Sequence, residues 1–170
     1  MNFDTLAEKS ITGLELDHQE CKSVLESCDA ELMDLLAAAF RVRRRFCGMK
    51  VHIHVLTNAR SGLCPEDCNY CSQSVISNAD FDKYPLIDRE ALVAGAQRAK
   101  EAKARRFCIV TSGRSPSVQD LDQLTDAIRE IKETVDIGIC CSLGLLDRDQ
   151  ARRLREAGVE QLNHNLNTSE

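Results

Sequence analysis

The chain has 170 residues, of which 43% are hydrophobic, and its formal net charge is -5. This length and composition suit a globular protein with a real core, and the acidic balance argues against a nucleic-acid partner, which normally imposes a basic surface. No apolar run approaches the roughly 20 residues of a membrane helix, and the N-terminus lacks the basic-then-apolar order of a signal peptide. We therefore expect no membrane partner and a cytoplasmic location.

Residues 1–48 are predicted to form a helical lead-in. Asp17 and Glu20 have the spacing of a capping box, and the helix that they begin has the apolar stripe Cys21, Val24, Leu25 and Cys28. This stripe predicts that its two cysteines are core thiols. A second helix is predicted from Asp29 to the residue before Gly48, and the side chains expected to face inward are Leu32, Leu35, Leu36, Ala39, Phe40 and Phe46.

Residues 49–170 alternate between strand-like and helix-like patterns. Strands are predicted at 51–59, 107–111, 135–141 and 161–166, and the intervening helices begin at the caps Asp88, Ser117 and Asp147. This alternation predicts an α/β fold in which four parallel strands are joined by three crossover helices. A complete (β/α)8 barrel needs about 200 residues or more, so we expect the first half of a TIM-barrel-like fold in a truncated chain.

Nine cysteines are unusual for this length. Because thiols stay reduced in the cytoplasm, metal binding or catalysis explains them better than disulfide bonds do. Cys64, Cys68 and Cys71 have the spacing C-x3-C-x2-C in the loop after the first predicted strand. Three thiolates favour an iron-sulfur cluster with one open iron, whereas structural zinc usually has four closed ligands. The alternative is a zinc site completed by His52 or His54.

The pattern C-x3-C-x-aromatic-C, with Tyr70 at the aromatic position, is the signature of the radical S-adenosylmethionine superfamily, which this chain resembles. The string SGLCPEDCNYCSQS at residues 61–74 is similar to the cluster loop of the biotin synthase family in particular. The resemblance covers nearly all of the chain after about Asp29, and it continues through RFC at 106–108, CCSLG from Cys140 and NHNLNTS at 163–169.

This resemblance implies two iron-sulfur clusters. A 4Fe-4S cluster bound by the three cysteines of the loop would pass an electron to S-adenosylmethionine, and a 2Fe-2S cluster at Cys108 and Cys140 would donate sulfur. Taken singly, each of these strand cysteines is also explained as a small buried hydrophobic residue. Cys141 points to the opposite face of the strand from Cys140, and we interpret it as a packing residue.

The last predicted strand supplies the remaining site residues. Asn163 and Asn165 alternate onto one face of it, and the resemblance implies that they contact substrate, with Asn165, Asn167 and Tyr70 contacting S-adenosylmethionine. The alternative role of Asn163 and Asn165 is a turn or cap at the end of the strand. Many biotin synthases have aspartate where this chain has Asn167, whose amide accepts ribose hydroxyls less well than a carboxylate does.

The activity implied by the resemblance is insertion of sulfur into dethiobiotin to form biotin. Its implied partners are dethiobiotin, an electron donor such as reduced flavodoxin, and a second subunit in a full-length homodimer. Two other hypotheses remain open. The first is a radical S-adenosylmethionine enzyme that acts on a different small substrate, and the second is a non-enzymatic iron-sulfur or zinc module. Because half a barrel cannot enclose a radical, we expect no biotin synthesis by these 170 residues alone.

Overall fold

The structure is a computed structural model that describes residues 2–68 and 71–165. The chain divides into two compact units, Met1–Val51 and His52–Glu170. Among the described residues, no helix combines the length and the apolar character that crossing a membrane requires.

The first unit is helical. Its elements are α1 (Phe3–Ile11), α2 (His18–Leu25), a 3-10 turn (Asp29–Glu31) and α3 (Leu32–Cys47). Sequence analysis missed α1, although Asn2 is a typical N-cap whose side chain accepts hydrogen bonds from the amides of Asp4 and Thr5. The predicted capping box at Asp17 and Glu20 is confirmed at the start of α2. The predicted end of the next helix before Gly48 is also confirmed.

The inward faces predicted for α2 and α3 are partly wrong. Cys21 and Cys28 are exposed, so they are not core thiols. The core of this unit comprises Phe3, Leu6, Ala7 and Ala38, with the partly buried Leu16, Val24, Leu35 and Val42 packed against it. The physical reason is that α1, which the prediction lacked, packs on the side of α3 that presents Ala38. Other predicted inward residues are therefore largely exposed, namely Leu32, Leu36, Phe40 and Phe46.

The second unit contains one parallel sheet with the strand order β1-β2-β3-β4. The strands are β1 (His54–Arg60), β2 (Arg106–Thr111), β3 (Gly138–Ser142) and β4 (Gln161–Leu162). The helices between them are α4 (Arg89–Glu101), α5 (Val118–Thr134) and α6 (Arg148–Ala157). Each strand pairs with the next in the chain, which confirms the predicted α/β fold with a partial TIM-barrel-like sheet.

The sequence predicts the ends of the helices more accurately than the ends of the strands. The predicted caps Asp88, Ser117 and Asp147 each accept a hydrogen bond from a first-turn amide, and Gly158 ends α6 with a φ of 110°. In contrast, β1 begins three residues after its predicted start at Val51. The structure assigns only two residues to β4, and the predicted end of that strand at Leu166 lies outside the described residues.

The two faces of the sheet differ in what covers them. Phe107, Ile109 and Ile139 lie on the face covered by the helices and are at most 1% exposed. The opposite face carries Leu56 and Cys108, which are neighbours in the strand register. Leu56 is 61% exposed, so this face is open at that position in the part of the chain that the structure describes. The chemically distinctive side chains of β2 and β3 therefore lie on the face that corresponds to a barrel interior.

Candidate metal centre

An open cavity of about 630 Å³ lies where the strands end, and Cys64, Cys68 and Cys71 all line it. Carboxyl ends of parallel strands meet at one edge of a sheet, which is where barrel enzymes place their sites. The loop after β1 supplies the three thiols, and the segments after β2 and β3 supply the opposite walls. The fold therefore brings the predicted cysteine motif to the expected edge.

The three thiols share a cavity without being gathered around one point. Across residues 2–68 and 71–165, no three His, Cys, Asp or Glu side chains converge into a group that could hold a metal ion. All three cysteines of the loop are partly buried free thiols. Their donor chemistry nevertheless fits an iron-sulfur cluster, because soft thiolates are its usual protein ligands.

The backbone around Cys64 is anchored on both sides. The Cys64 amide donates to the carbonyl of Gln73 at 3.0 Å, and the Cys64 carbonyl accepts from the amide of Val75 at 2.8 Å. The amide of Cys71 donates to the carbonyl of Cys68 at 2.8 Å. The backbone of Cys64 is therefore held on both sides by the segment that follows the motif.

Two arginines tie the cavity walls together. Arg114, after β2, donates to the Glu66 carboxylate at 2.9 Å, and Glu66 lies within the cysteine motif. At the end of β1, Arg60 donates to the carbonyl of Ser112 at 2.6 and 2.8 Å and to the Asp120 carboxylate at 2.7 Å. The start of the loop is thereby fixed to β2 and to the N-terminus of α5.

The pKa of Asp120 is lowered because its carboxylate accepts hydrogen bonds from both Ser117 and Arg60. Burial alone would raise the pKa of this carboxyl, but hydrogen bonds from Ser117 and the Arg60 guanidinium outweigh burial and hold the pKa below its ordinary value. Both side chains of the Arg60–Asp120 pair are 22% exposed. The carboxylate therefore remains charged and holds Arg60 in place.

Cys108 and Cys140 are direct neighbours across β2 and β3 in the strand register. Burial and, second, the neighbouring Cys140 raise the pKa of the Cys108 thiol to about 11, against the opposite effect of the Arg106 guanidinium. The Nε atom of Arg106 is buried without a hydrogen-bond partner in the described part of the chain. The two predicted ligands of the second cluster are thus close together on the face opposite the helices.

Cys141 lies on the other side of β3. It is fully buried in the core beneath the helices, whereas Cys140 is not part of that core. Burial, followed by the neighbouring Cys140 and Cys108, raises the pKa of the Cys141 thiol. The prediction that Cys141 is a packing residue on the opposite face is confirmed.

Of the asparagines predicted to contact substrate or cofactor, Asn163 and Asn165 have different positions in the structure. Asn165 lines the cavity, whereas the amide of Asn163 donates to the Cys141 carbonyl at 2.8 Å and extends the pairing of β4. Both side chains are exposed. Tyr70 and Asn167 lie outside the described residues.

Sequence analysis missed several residues that line the cavity. They share a position just after a strand or at its end, and they are Ser112, Arg114, Ser142 and His164. The usable signal was that position, since segments at the carboxyl ends of parallel strands converge. The two histidines proposed to complete a zinc site are elsewhere. The guanidinium of Arg105 contacts the His52 ring, and neither His52 nor His54 is among the cavity-lining residues of the described chain.

In comparison with known protein families, residues 58–170 match the Radical SAM superfamily. The chain belongs to this superfamily. The match begins within β1 and includes the three cysteines of the loop and the cysteines of β2 and β3.

Biotin synthases are among the similar curated proteins. Biotin synthase of Bacillus velezensis is 48% identical over 165 residues, which is 97% of this chain and 49% of that protein. Biotin synthase of Bacillus subtilis is 47% identical with the same two coverages, and that of Lysinibacillus sphaericus is 47% identical over 100% of this chain and 51% of its own length. The predicted resemblance is confirmed, and the chain spans about half the length of these relatives.

Solved structures support the fold. Methylornithine synthase (PylB) superposes with a TM-score of 0.79 at 23% identity, covering 92% of this chain and 46% of that enzyme. The FeFe-hydrogenase maturase HydG of Carboxydothermus hydrogenoformans gives a TM-score of 0.73 at 22% identity, with coverages of 94% and 37%. At such identities the likeness shows the fold alone.

Proposed function

We propose that this chain forms the cluster-binding half of a biotin synthase, an enzyme that inserts sulfur into dethiobiotin. Identities of 45–49% over nearly the whole chain support this assignment. The observation on which it depends most is that Cys64, Cys68 and Cys71 line one cavity at the carboxyl ends of the strands. In this proposal these thiolates hold a 4Fe-4S cluster and the same cavity admits S-adenosylmethionine.

The residues present fit that cluster by their chemistry. Three thiolates are soft ligands, and three ligands leave one iron open for a chelating small molecule. When bound, the cluster would supply the electron that splits S-adenosylmethionine and creates a radical that removes hydrogen from dethiobiotin. The loop after β1 holds the ligands, and the Glu66–Arg114 ion pair fastens that loop to the segment after β2.

Cys108 and Cys140 are proposed ligands of a 2Fe-2S cluster that would supply the sulfur. Their support is their register pairing and their shared position on the face that the helices leave open. Arg106 lies on the same face as Cys108 by strand alternation, and its buried Nε atom makes no hydrogen bond among the described residues but lies 4.0 Å from the Glu160 carboxylate. A positive side chain at this position would favour thiolates over thiols.

The remaining assignments extend the same proposal. Asn165 would hydrogen-bond substrate or S-adenosylmethionine from the cavity wall, and Asn163, Asn167 and Tyr70 are kept as candidate contacts. A reduced flavodoxin or similar donor would supply electrons, the full-length protein would be a homodimer, and its location would be the cytoplasm. The support for these partners and this location is the resemblance to biotin synthase.

The proposal is tested by anaerobic reconstitution of the 170-residue chain with iron and sulfide. S-adenosylmethionine added to the reduced protein is expected to change the electron paramagnetic resonance spectrum, because it binds the open iron. Cys68→Ser removes one ligand and is expected to abolish this response, whereas Cys47→Ser, at an exposed thiol of α3, retains it. A reconstituted cluster that ignores S-adenosylmethionine contradicts the proposal.

A further inference from the structure

The segment that carries Cys64 is enclosed by buried polar groups that the cysteine motif does not include. Ser61, Ser74 and Ser112 are 3%, 4% and 8% exposed. Buried polar groups are rare unless they are hydrogen-bonded, so their partners indicate what the local structure is built to hold. The Ser74 hydroxyl accepts from the Ile76 amide, whereas the Ser61 and Ser112 hydroxyls hold the turn before Cys64, through Gln73 and the Gly62 carbonyl.

Gln73 contacts that backbone with both its side chain and its main chain. Its Oε1 atom accepts a hydrogen bond from the Gly62 amide at 2.6 Å and lies 3.4 Å from the Ser61 hydroxyl, which also donates to it. Its main-chain carbonyl accepts from the Cys64 amide at 3.0 Å. One residue therefore holds both ends of the turn that leads into Cys64.

The turn itself needs such support. Gly62 has a φ of 73° and Leu63 a φ of 58°, so two successive residues adopt the left-handed conformation, which is unfavourable for leucine. Ser112 holds the turn from the opposite side, because its hydroxyl donates to the Gly62 carbonyl at 2.7 Å. The Gly62 amide and carbonyl are thus both bound by side chains.

We propose that Gln73 is a positioning residue of the metal centre, and that it fixes the backbone of Cys64 before iron binds. Cys64 is then the pre-placed ligand of the three. The inference rests on the proposed function only in treating Cys64 as an iron ligand. The contacts that carry it are hydrogen bonds between protein groups.

The experiment compares Gln73→Ala with Gln123→Ala in the full 170-residue chain. Gln123 is a matched control, because its side chain also makes a hydrogen bond to backbone, from Nε2 to the Ile87 carbonyl at 2.7 Å, yet it does not line the cavity. Amide hydrogen exchange at Gly62 and Cys64 is measured in the metal-free proteins, and the rate of iron uptake is measured during reconstitution. A third variant, Gln73→Glu, retains an acceptor oxygen for the Gly62 amide.

Gln73→Ala is expected to speed exchange at Gly62 and Cys64 about fivefold and to slow iron uptake by a similar factor, as the loss of one hydrogen bond implies. Gln123→Ala should leave all three rates unchanged, and Gln73→Glu should restore slow exchange. Equal exchange at Gly62 in Gln73→Ala and Gln123→Ala overturns the proposal. Rapid exchange at Gly62 in a folded Gln73→Glu variant also overturns the proposal. This variant gives a test even if Gln73→Ala does not fold.

The two proposals fail separately. If the unaltered chain binds no cluster that responds to S-adenosylmethionine, the proposed function fails, while the exchange rates at Gly62 and Cys64 still test the role of Gln73. If the cluster responds normally and Gln73→Ala takes up iron as fast as the unaltered chain, the positioning role fails alone.

Discussion

The two groups of cysteines in this chain are placed by different physical means. Cys64 is held in a loop by a hydrogen bond from its amide to the Gln73 carbonyl and one from the Val75 amide to its carbonyl, so its position depends on a few polar contacts. Cys108 and Cys140 are held by the register of β2 and β3, so their position follows from the sheet itself. A loop site can therefore be altered without unfolding the protein, whereas the positions of the strand cysteines change only if the sheet changes.

The largest expected effect concerns ligation in the loop. Cys64→Ser replaces a soft sulfur ligand with a harder oxygen. We expect the affinity of the loop for iron to fall by more than about 100-fold, which is more than the loss of a residue that only hydrogen-bonds to a ligand would cause. The unfolding free energy should change little, since Cys64 is only partly buried. Iron content and urea unfolding of the same samples measure both quantities.

Cys28→Ser is the matched control for this first prediction, because Cys28 is an exposed thiol outside the cavity. It should retain full iron content. If Cys64→Ser lowers the unfolding free energy as much as a substitution in the core, the loop contributes to the stability of the fold. The two groups of cysteines would then not differ in the way proposed.

The second prediction concerns the sheet, at the point where the segments after β2 and β3 meet. Gly144 has a φ of 79°, and a Cβ there would lie 2.3 Å from the carbonyl oxygen of Arg114. Because backbone cannot move aside as a side chain can, Gly144→Ala is expected to lower the unfolding free energy by about 3 kcal/mol. Chemical denaturation followed by circular dichroism measures the loss.

Gly158→Ala is the control for that prediction. Gly158 is also left-handed, with a φ of 110°, but the atom that a new Cβ would meet at 2.7 Å is the Lys132 Cγ of a flexible side chain. Its expected cost is about 1 kcal/mol, from backbone strain alone. Equal losses in the two variants would mean that the segments after β2 and β3 are not tightly packed.

The third prediction compares Cys140 and Cys141, which are adjacent on β3 but face opposite sides of the sheet. Cys141→Ser places a hydroxyl in the fully buried helix-side core and is expected to cost about 2 kcal/mol of unfolding free energy. Cys140→Ser should cost less than half of that, because Cys140 faces away from this core. Chemical denaturation of both variants provides the comparison. Equal losses would mean that Cys140 packs in the helix-side core as Cys141 does.

How much the sequence reveals also differs between the regions. Local chemistry was sufficient for the capped helices, since the Asp88, Ser117 and Asp147 signals depend on nearby residues alone. The alternation along β3 was likewise sufficient to separate Cys140 from Cys141. The cysteine motif identified the loop, and topology then placed it at the cavity.

Predictions that needed a tertiary partner were less successful. The buried side of α3 could not be identified from periodicity, because apolar residues occur on more than one of its faces and α1 decides which is covered. For the same reason Cys21 was wrongly placed in a core. His164 and Arg114 were missed as cavity-lining residues because loop conformation, not spacing, brings them there.

The smallest expected effect concerns the joint between loop and sheet, which is the Arg60–Asp120 ion pair. The pKa of Asp120 is lower in the folded protein than its ordinary value of 3.8. A lowered folded pKa stabilises the protein above the unfolded pKa, and this stability is lost as pH falls through the folded pKa. Asp120→Asn should therefore lower the unfolding free energy by about 1 kcal/mol at pH 6 and by progressively less below pH 3.8.

The measurement is urea unfolding at a series of pH values for the unaltered chain, Asp120→Asn and Asp126→Asn. Asp126 is a suitable control, because it also pairs with an arginine, Arg129, but is 62% exposed on the same helix. Its removal should cost little at any pH, since exposed ion pairs contribute little. If Asp120→Asn keeps the full acid dependence of the unaltered chain, the Arg60–Asp120 pair does not join the loop to α5, and Arg60 must be held by its hydrogen bonds to the Ser112 carbonyl instead.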